Sequence, residues 1–242
     1  MRRGSAASVA IDVMLVLLAT TVQADGTAVT NIYLPYVQPL EKELEYRVQW
    51  QRDSTARDAD QRIHWLGLGG AMAERWYGEA TLVYNGDPVN TVDAYELELL
   101  HQLTEQGEYD SDWGVLMELE RESEAPRWEA ALGLLNTREW QRWQFTTNLF
   151  LIREWGEKMD SEWETRLTLQ GKFRYSVSLE PGFELYIGEE SHFIGPFVAG
   201  RLASNGPDKL YWKLAILAGN ADRNGDFSPD AILKLDLEYE FF

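Results

Sequence analysis

The chain has 242 residues, of which 40 are acidic and 22 are basic, so its formal net charge is −18. Such acidity argues against a nucleic-acid-binding protein, which needs a basic footprint. It fits an interior that attracts cations or a surface held beside divalent cations, and the alternative is that it serves solubility alone. Cysteine is absent, which excludes disulfides and thiol chemistry.

The first 24 residues have the pattern of an export signal. Arg2 and Arg3 form a positively charged start, an apolar stretch follows over residues 13–22, and Val22-Gln23-Ala24 supplies small residues for cleavage after Ala24. The alternative is a membrane anchor, but a helix needs roughly 20 apolar residues to cross a bilayer. We predict a signal peptide over residues 1–24. Its removal takes away two Arg and one Asp, which changes the net charge from −18 to −19.

The rest of the chain alternates between apolar and charged residues. The mean hydropathy is only −0.37 although ten Trp, eleven Tyr and nine Phe are present, and strict alternation explains both facts. We predict a periplasmic segment over residues 25–40 and a single domain over 41–242. Its expected strands are 43–51, 62–70, 75–84, 94–103, 113–121, 128–135, 143–153, 163–174, 179–188, 193–202, 210–217 and 231–241. The count of twelve leaves ten or fourteen open.

Aromatic residues and turn residues mark the ends of these strands. Seven tryptophans lie near predicted strand ends, where membrane barrels carry girdles of aromatic rings: Trp50, Trp76, Trp113, Trp128, Trp140, Trp155 and Trp163. The alternative is that they form the core of a soluble sandwich. Residues 71–74 and 175–178 are predicted to be tight turns on the periplasmic side.

The last strand carries the most specific pattern. Leu233, Leu235, Leu237, Tyr239 and Phe241 alternate with charged residues up to the end of the chain. With the export signal and the repeated strands, this resembles bacterial outer-membrane β-barrel proteins, whose final strand has apolar residues at every second position and ends in Phe. Phe242 departs from that pattern by one residue. The resemblance implies an all-β fold, a closed antiparallel up-and-down transmembrane β-barrel of about 12 strands, located in the bacterial outer membrane.

The resemblance also implies partners. In the family, the final strand is read by the barrel-assembly machinery, so we expect that role for Leu237, Tyr239, Phe241 and Phe242. The expected surroundings of the barrel are outer-membrane lipid and lipopolysaccharide.

The charged residues of the strands should line the lumen, since the apolar residues would face lipid. The expected lumen-lining residues are Glu43, Glu45, Arg47, Glu96, Glu98, Glu118, Glu120, Glu164, Arg166, Glu184, Lys213, Lys234, Asp236 and Glu238, with Glu240 beside them. Acidic residues predominate, and carboxylate rings favour cations. We therefore expect a small channel or uptake pore for small solutes or cations. The alternative is a closed structural or accessory barrel in which the charges neutralise one another.

An outer-membrane enzyme is the third possibility, and we predict no catalytic residues. Three histidines are present, at His64, His101 and His192. Ser191 and His192 are neighbours, but adjacent residues of a strand point in opposite directions and so form no dyad.

A loop before the last strand has spacing typical of calcium ligands. Oxygen-bearing side chains occupy every second position at Asp222, Asn224, Asp226, Ser228 and Asp230. The loop lacks the glycine and the final glutamate of an EF-hand, so a polar turn is the alternative. No other cofactor is expected.

Overall fold

The computed structural model describes residues 29–54, 60–86, 91–124, 126–157, 159–189, 191–202, 208–221 and 228–242. The predicted signal peptide and residues 25–28 lie outside the described residues. The strands are β1 Lys42–Arg52, β2 Gln61–Ala73, β3 Trp76–Asn85, β4 Ala94–Gln102, β5 Asp112–Glu122, β6 Arg127–Trp140, β7 Trp143–Gly156, β8 Met159–Phe173, β9 Glu180–Ile187, β10 Ser191–Leu202, β11 Lys209–Ala221 and β12 Ala231–Phe241.

The twelve strands form one closed antiparallel barrel. Each strand pairs with its neighbours in sequence, and β1 pairs with β12 from Lys42 opposite Phe241 to Arg52 opposite Ala231. The predicted fold and the count of twelve are therefore confirmed. No helix among the described residues is long and apolar enough to span a membrane.

The first and last strands meet at the end of the barrel where β1 begins, which we call the chain-end rim; the opposite end is the far rim. β1 runs from the chain-end rim at Lys42 to the far rim at Arg52. The start of β1 and the end of β12 both lie at the chain-end rim, because an even number of strands returns both ends of a single-chain barrel to one side.

The two faces of the wall have opposite chemistry. Large apolar side chains stand outward and exposed, including Leu97 at 57 %, Leu132 at 53 % and Ile216 at 61 %, whereas Glu45 and Arg47 point inward and are buried. A soluble barrel would have its apolar side chains inside. This inverted arrangement is that of a barrel surrounded by lipid. The seven tryptophans of the predicted girdle all occupy outward positions of their strands.

Several strands extend beyond their predicted ends. β6 continues to Trp140 and pairs with β7 as far as Trp140 opposite Trp143, so only two residues make the turn. β8 begins at Met159, next to a bulge in its pairing with β7. Polar residues on both faces near the rims break the alternation there, although the backbone ladder continues.

Residues 29–37 lie inside the barrel, which differs from the expected periplasmic segment, whereas residues 38–40 are exposed. Val29 and Ile32 pack against inward side chains of the β9–β12 wall, including Phe193, Leu217 and Ile232. Val37 packs against Leu100, Leu116 and Leu135 on the β4–β7 wall. The segment therefore crosses the lumen from one wall to the other. The physical reason is that its apolar side chains are buried there.

Candidate functional site

The segment of residues 29–37, which we call the lumen segment, divides the interior into two cavities. The chain-end cavity has a volume of about 470 Å³ and is lined by Asn31, Ile32 and Tyr33 of the segment. The far-rim cavity has a volume of about 550 Å³ and is lined by Val29, Thr30 and Tyr33. Tyr33 borders both cavities. The interior is thus two vestibules with a constriction between them.

Acidic side chains predominate in both cavities. Glu41, Glu43, Glu45, Glu79, Glu98, Glu180, Asp236, Glu238 and Glu240 line the chain-end cavity, together with Lys172, Arg201 and Lys213. Asp93, Glu96, Glu118, Glu120, Glu122, Glu124, Glu129, Glu164 and Glu189 line the far-rim cavity, together with Arg47, Arg127 and Arg166. Two further residues were expected to line the lumen, Glu184 and Lys234. Both are fully buried at the inner face of the wall, with exposures of 0 % and 1 %.

Side-chain amides hold the lumen segment by its backbone. Asn148 accepts a hydrogen bond from the Tyr33 N–H at 2.8 Å and donates one to the Tyr33 carbonyl at 2.9 Å. The Val37 N–H donates to Gln102 at 2.8 Å, and Gln49 donates to the Val29 carbonyl at 2.9 Å. A segment without regular secondary structure needs such partners for its buried backbone groups.

Two tyrosines of the segment bind carboxylates of the wall. The Tyr33 hydroxyl donates to Glu98 at 2.6 Å, and burial together with the charge of Glu98 holds the pKa of the Tyr33 phenol well above its usual range. The Tyr36 hydroxyl donates to Asp112 at 2.7 Å, and burial together with this bond raises the pKa of Tyr36. Both phenols therefore stay protonated and act as donors.

The β9–β12 side of the lumen contains a buried network of ion pairs. Lys213 lies 2.9 Å from Asp236 and 3.2 Å from Glu184, and Lys234 lies 3.5 Å from Asp236. The Lys234 ammonium also donates to the Thr30 carbonyl at 2.7 Å. This network neutralises charge locally and anchors the lumen segment at the same time.

Two arginines flank this network on the neighbouring strands β1 and β8. Arg47 lies 3.0 Å from Glu45 and stacks over Trp65, with 5.6 Å from its guanidinium carbon to the ring centroid. Arg166 lies 3.4 Å from Glu118 and 4.7 Å from the centroid of Phe150. Each of these buried charges has a carboxylate and an aromatic face beside it.

Two groups of carboxylates are placed closely enough to hold a cation. Oxygens of Glu43, Glu45 and Glu79 lie within 4.8 Å of one another, as do oxygens of Glu96, Glu98 and Glu118. Carboxylate oxygens are the ligands that hard cations prefer. The first group lines the chain-end cavity, and the second spans the two cavities, with Glu98 in the chain-end cavity and Glu96 and Glu118 in the far-rim cavity.

Of the residues predicted to form a calcium loop, Ser228 and Asp230 belong to the described part of the chain. Asp222, Asn224 and Asp226 fall outside the described residues. The Ser228 N–H donates to Asp53 at 2.8 Å, and the Asp230 N–H donates to the Arg52 carbonyl at 2.9 Å. The calcium loop stays a prediction. Ser191 is buried and points inward whereas His192 is exposed, so they form no dyad.

The residues of the predicted assembly signal lie at the chain-end rim. Leu237, Tyr239 and Phe241 occupy outward positions of β12, and Phe242 follows the strand. Tyr239 and Phe241 stack with a ring-centroid distance of 5.9 Å.

Sequence reasoning missed the lumen segment and Glu79. The concentration of Val29, Ile32, Tyr33, Tyr36 and Val37 before the first strand was the available signal, because a solvated linker would be polar. Glu79 alternates correctly with its apolar neighbours on β3. Gly67 and Gly69 of β2 have no side chains, and Glu79 and Tyr77 occupy the space that side chains at these two positions would fill.

Comparison with known proteins identifies the fold. No protein-family model and no curated protein matches the chain. Among solved structures, an outer membrane channel from Pseudomonas putida F1 is similar with a TM-score of 0.55 and 12% identity, covering 86% of this chain and 96% of that one. The KdgM porin, in complex with disordered oligogalacturonate, is similar with a TM-score of 0.50 and 12% identity, covering 83% of this chain and 98% of that one.

This likeness shows the fold, which is that of bacterial outer-membrane β-barrel proteins. The exposed apolar side chains around the wall require a lipid environment. The chain therefore has a porin-like barrel whose outer surface suits lipid.

Proposed function

We propose that the protein is a small cation-preferring channel whose constriction is the lumen segment. The observation that carries this proposal is the pair of acid-lined cavities, one on each side of Tyr33. A barrel of about eight strands is filled by its own side chains, and one of sixteen or more encloses a wide channel. With twelve strands and a segment across the lumen, the pathway suits small solutes and ions.

The charge of the lumen sets the class of solute. Nine acidic side chains face three basic ones in each cavity, so the potential along the pathway is negative. A narrow lumen with low-dielectric walls screens these charges poorly, which favours cations over anions. An acidic oligosaccharide such as the oligogalacturonate of the KdgM complex would be repelled here.

The proposal predicts a measurable selectivity. Full-length refolded protein in a planar bilayer should conduct, and its reversal potential in a KCl gradient should be that of a cation-preferring pore. Replacing Glu45, Glu98, Glu118 and Glu238 together by Gln should reduce that preference more than any single change, because the four lie on different strands and in both cavities. The outward change Leu97→Val is the matched control.

The constriction can be tested separately. Tyr33→Ala removes the ring that borders both cavities and its hydrogen bond to Glu98. We expect an increase in conductance of several-fold with little change in ion preference. A parent and a Tyr33→Ala variant that are both silent in repeated recordings would end the channel proposal.

A closed barrel is the second candidate, favoured by the way the lumen segment is held. Hydrogen bonds with the side-chain amides of Asn148, Gln102 and Gln49 fix its backbone at three places. If the segment is a permanent plug, the quadruple Gln variant should melt at a lower temperature, because Arg47 and Arg166 lose their carboxylates. Neither the parent nor any variant would then conduct.

A further inference from the structure

The outer surface of the barrel carries a charge opposite to that of the whole chain. Where the strands pair in regular register, every charged side chain at an outward position is basic. Arg52, Arg62, Arg121 and Arg153 lie toward the far rim, and Lys42 and Arg138 lie toward the chain-end rim. The chain as a whole has a net charge of −18, so this preference for basic residues is a property of the lipid-facing surface.

Two of these arginines belong to a cluster with aromatic rings on β5–β8. The guanidinium of Arg121 lies 5.3 Å from the ring centroid of Trp128, its cross-strand partner. Trp128 is in turn stacked on Trp155, with 6.4 Å between centroids and 4° between planes. Arg153 lies 5.3 Å from the ring of its cross-strand partner Trp163. The rings hold both guanidinium groups against the wall at the far rim.

Both guanidinium groups are available to an external anion. Within the described part of the chain, the recorded contacts of Arg121 and Arg153 are these ring contacts, and neither residue forms an ion pair. Both side chains are exposed at the surface. Guanidinium stacked on a ring keeps its N–H groups free at the edge, in the fork that suits phosphate oxygens.

An apolar groove begins directly below this cluster. It has a volume of about 700 Å³ and is lined by Met117, Leu119, Ala130, Leu132, Leu151 and Trp163, with Arg153 at its upper end. Ala130 is paired with Leu119 on one side and Arg153 on the other, so the small side chain makes the floor between larger ones. Arg121 lies two residues beyond Leu119 on β5, about 7 Å along the strand from the groove.

We propose that this surface binds the phosphorylated, acylated glycolipid of the outer leaflet, the lipid A part of lipopolysaccharide. A phosphate of the headgroup contacts Arg121 and Arg153, and an acyl chain lies in the groove over Ala130. The position fits this lipid, since the far rim faces the outer leaflet when both chain ends are on the periplasmic side. Basic pockets beside apolar surface are the general means by which membrane proteins select anionic lipids.

The test is lipid binding by the full-length barrel in detergent, measured by native mass spectrometry. The probes are bisphosphorylated lipid A, the same lipid with both phosphates removed, and phosphatidylglycerol. We expect lipid A to bind, the dephosphorylated lipid to bind at least about tenfold more weakly, and phosphatidylglycerol to compete poorly. The double variant Arg121→Gln/Arg153→Gln should lose about tenfold or more in affinity for lipid A.

Two further variants make the result specific. Arg138→Gln removes an outward arginine at the other rim and should bind lipid A as the parent does. Ala130→Leu fills the groove floor without changing charge and should also weaken binding. Heat-modifiable migration shows that each variant is folded. Equal lipid A binding by the parent and the double variant would overturn the proposal, and so would equal loss in Arg138→Gln or equal binding of phosphatidylglycerol.

Discussion

At the scale of single residues, the inner wall is a set of charges that hold one another in place. Asp236 is the shared partner of Lys213 at 2.9 Å and Lys234 at 3.5 Å, and Lys234 is 1% exposed. Removing one member of a buried ion pair leaves an uncompensated charge in a poorly solvated place. The side chains facing the lumen are therefore unequal in what they contribute to stability.

Asp236→Asn is expected to lower the free energy of unfolding by about 3–5 kcal/mol, because two buried lysines lose their common carboxylate. Urea titration followed by heat-modifiable migration measures this. The matched control is Glu180→Gln, which breaks the more exposed pair with Lys172 at 3.3 Å and should cost about 1 kcal/mol or less. Similar losses in both variants would show that the network is solvated.

Glu41, immediately before β1, links stability to pH. Burial and the neighbouring Glu240 carboxylate raise the pKa of Glu41 from 4.5 to about 7. Because the folded state holds this proton more tightly than the unfolded state, the stabilising contribution is complete below pH 4.5 and is lost as the pH rises through about 7.

The variant Glu41→Gln carries a neutral side chain at every pH. We expect it to match the parent at pH 4.5 and to be the more stable protein at pH 8, as measured by urea midpoints at the two pH values. A stability difference that is the same at both pH values would contradict the assignment of this titration to Glu41.

At the scale of strands, alternation decides which face meets lipid. Leu97 points outward and is 57 % exposed, whereas its neighbour Glu98 is buried at 7 % and accepts the Tyr33 hydrogen bond. Leu97→Arg should destabilise the barrel by roughly 2–4 kcal/mol if the site lies near the bilayer midplane. Glu98→Gln, the control, keeps an oxygen acceptor for Tyr33 and should cost much less. Folding titrations into lipid vesicles compare the two, and equal tolerance would mean that the faces are reversed.

Alternation also explains what could be predicted about the strands. A period of two is a local property, so it identified twelve strands and separated Leu97 from Glu98 without knowledge of the fold. It failed where the outward face becomes polar near a rim, as at Asn136 and Arg138 of β6. There the backbone ladder to β7 defines the strand, and side-chain chemistry does not.

At the scale of the whole molecule, the β1–β12 seam closes the wall, and the end of β12 supplies part of it. Leu44 pairs with Tyr239 and Lys42 with Phe241. We predict that deletion of residues 239–242 leaves protein in the periplasm, aggregated or degraded, because the seam is shortened and the assembly signal is lost. Cell fractionation with heat-modifiable migration measures this, with the outward change Leu97→Val as the control. Normal folded barrel in the outer membrane after the deletion would show that these residues are dispensable.

The candidate site could be predicted only in part, because one part of it depends on contacts between residues that are far apart in the sequence. The sequence predicted which charges face inward, since that depends on neighbours along a strand. The lumen segment depends on contacts between Tyr33 and residues 65 and 115 positions further along the chain, Glu98 and Asn148. A segment without periodicity gives no local sign of such partners.

The path of the lumen segment across the barrel has a mechanical consequence. Val29 is packed into the β9–β12 wall and Val37 into the β4–β7 wall, so a short stretch of chain connects opposite sides of the cylinder. A lumen segment anchored in both walls resists flattening of the barrel under the lateral pressure of a bilayer, because flattening would pull apolar side chains out of one wall. The cross-section is thereby braced from within by apolar contacts with both walls.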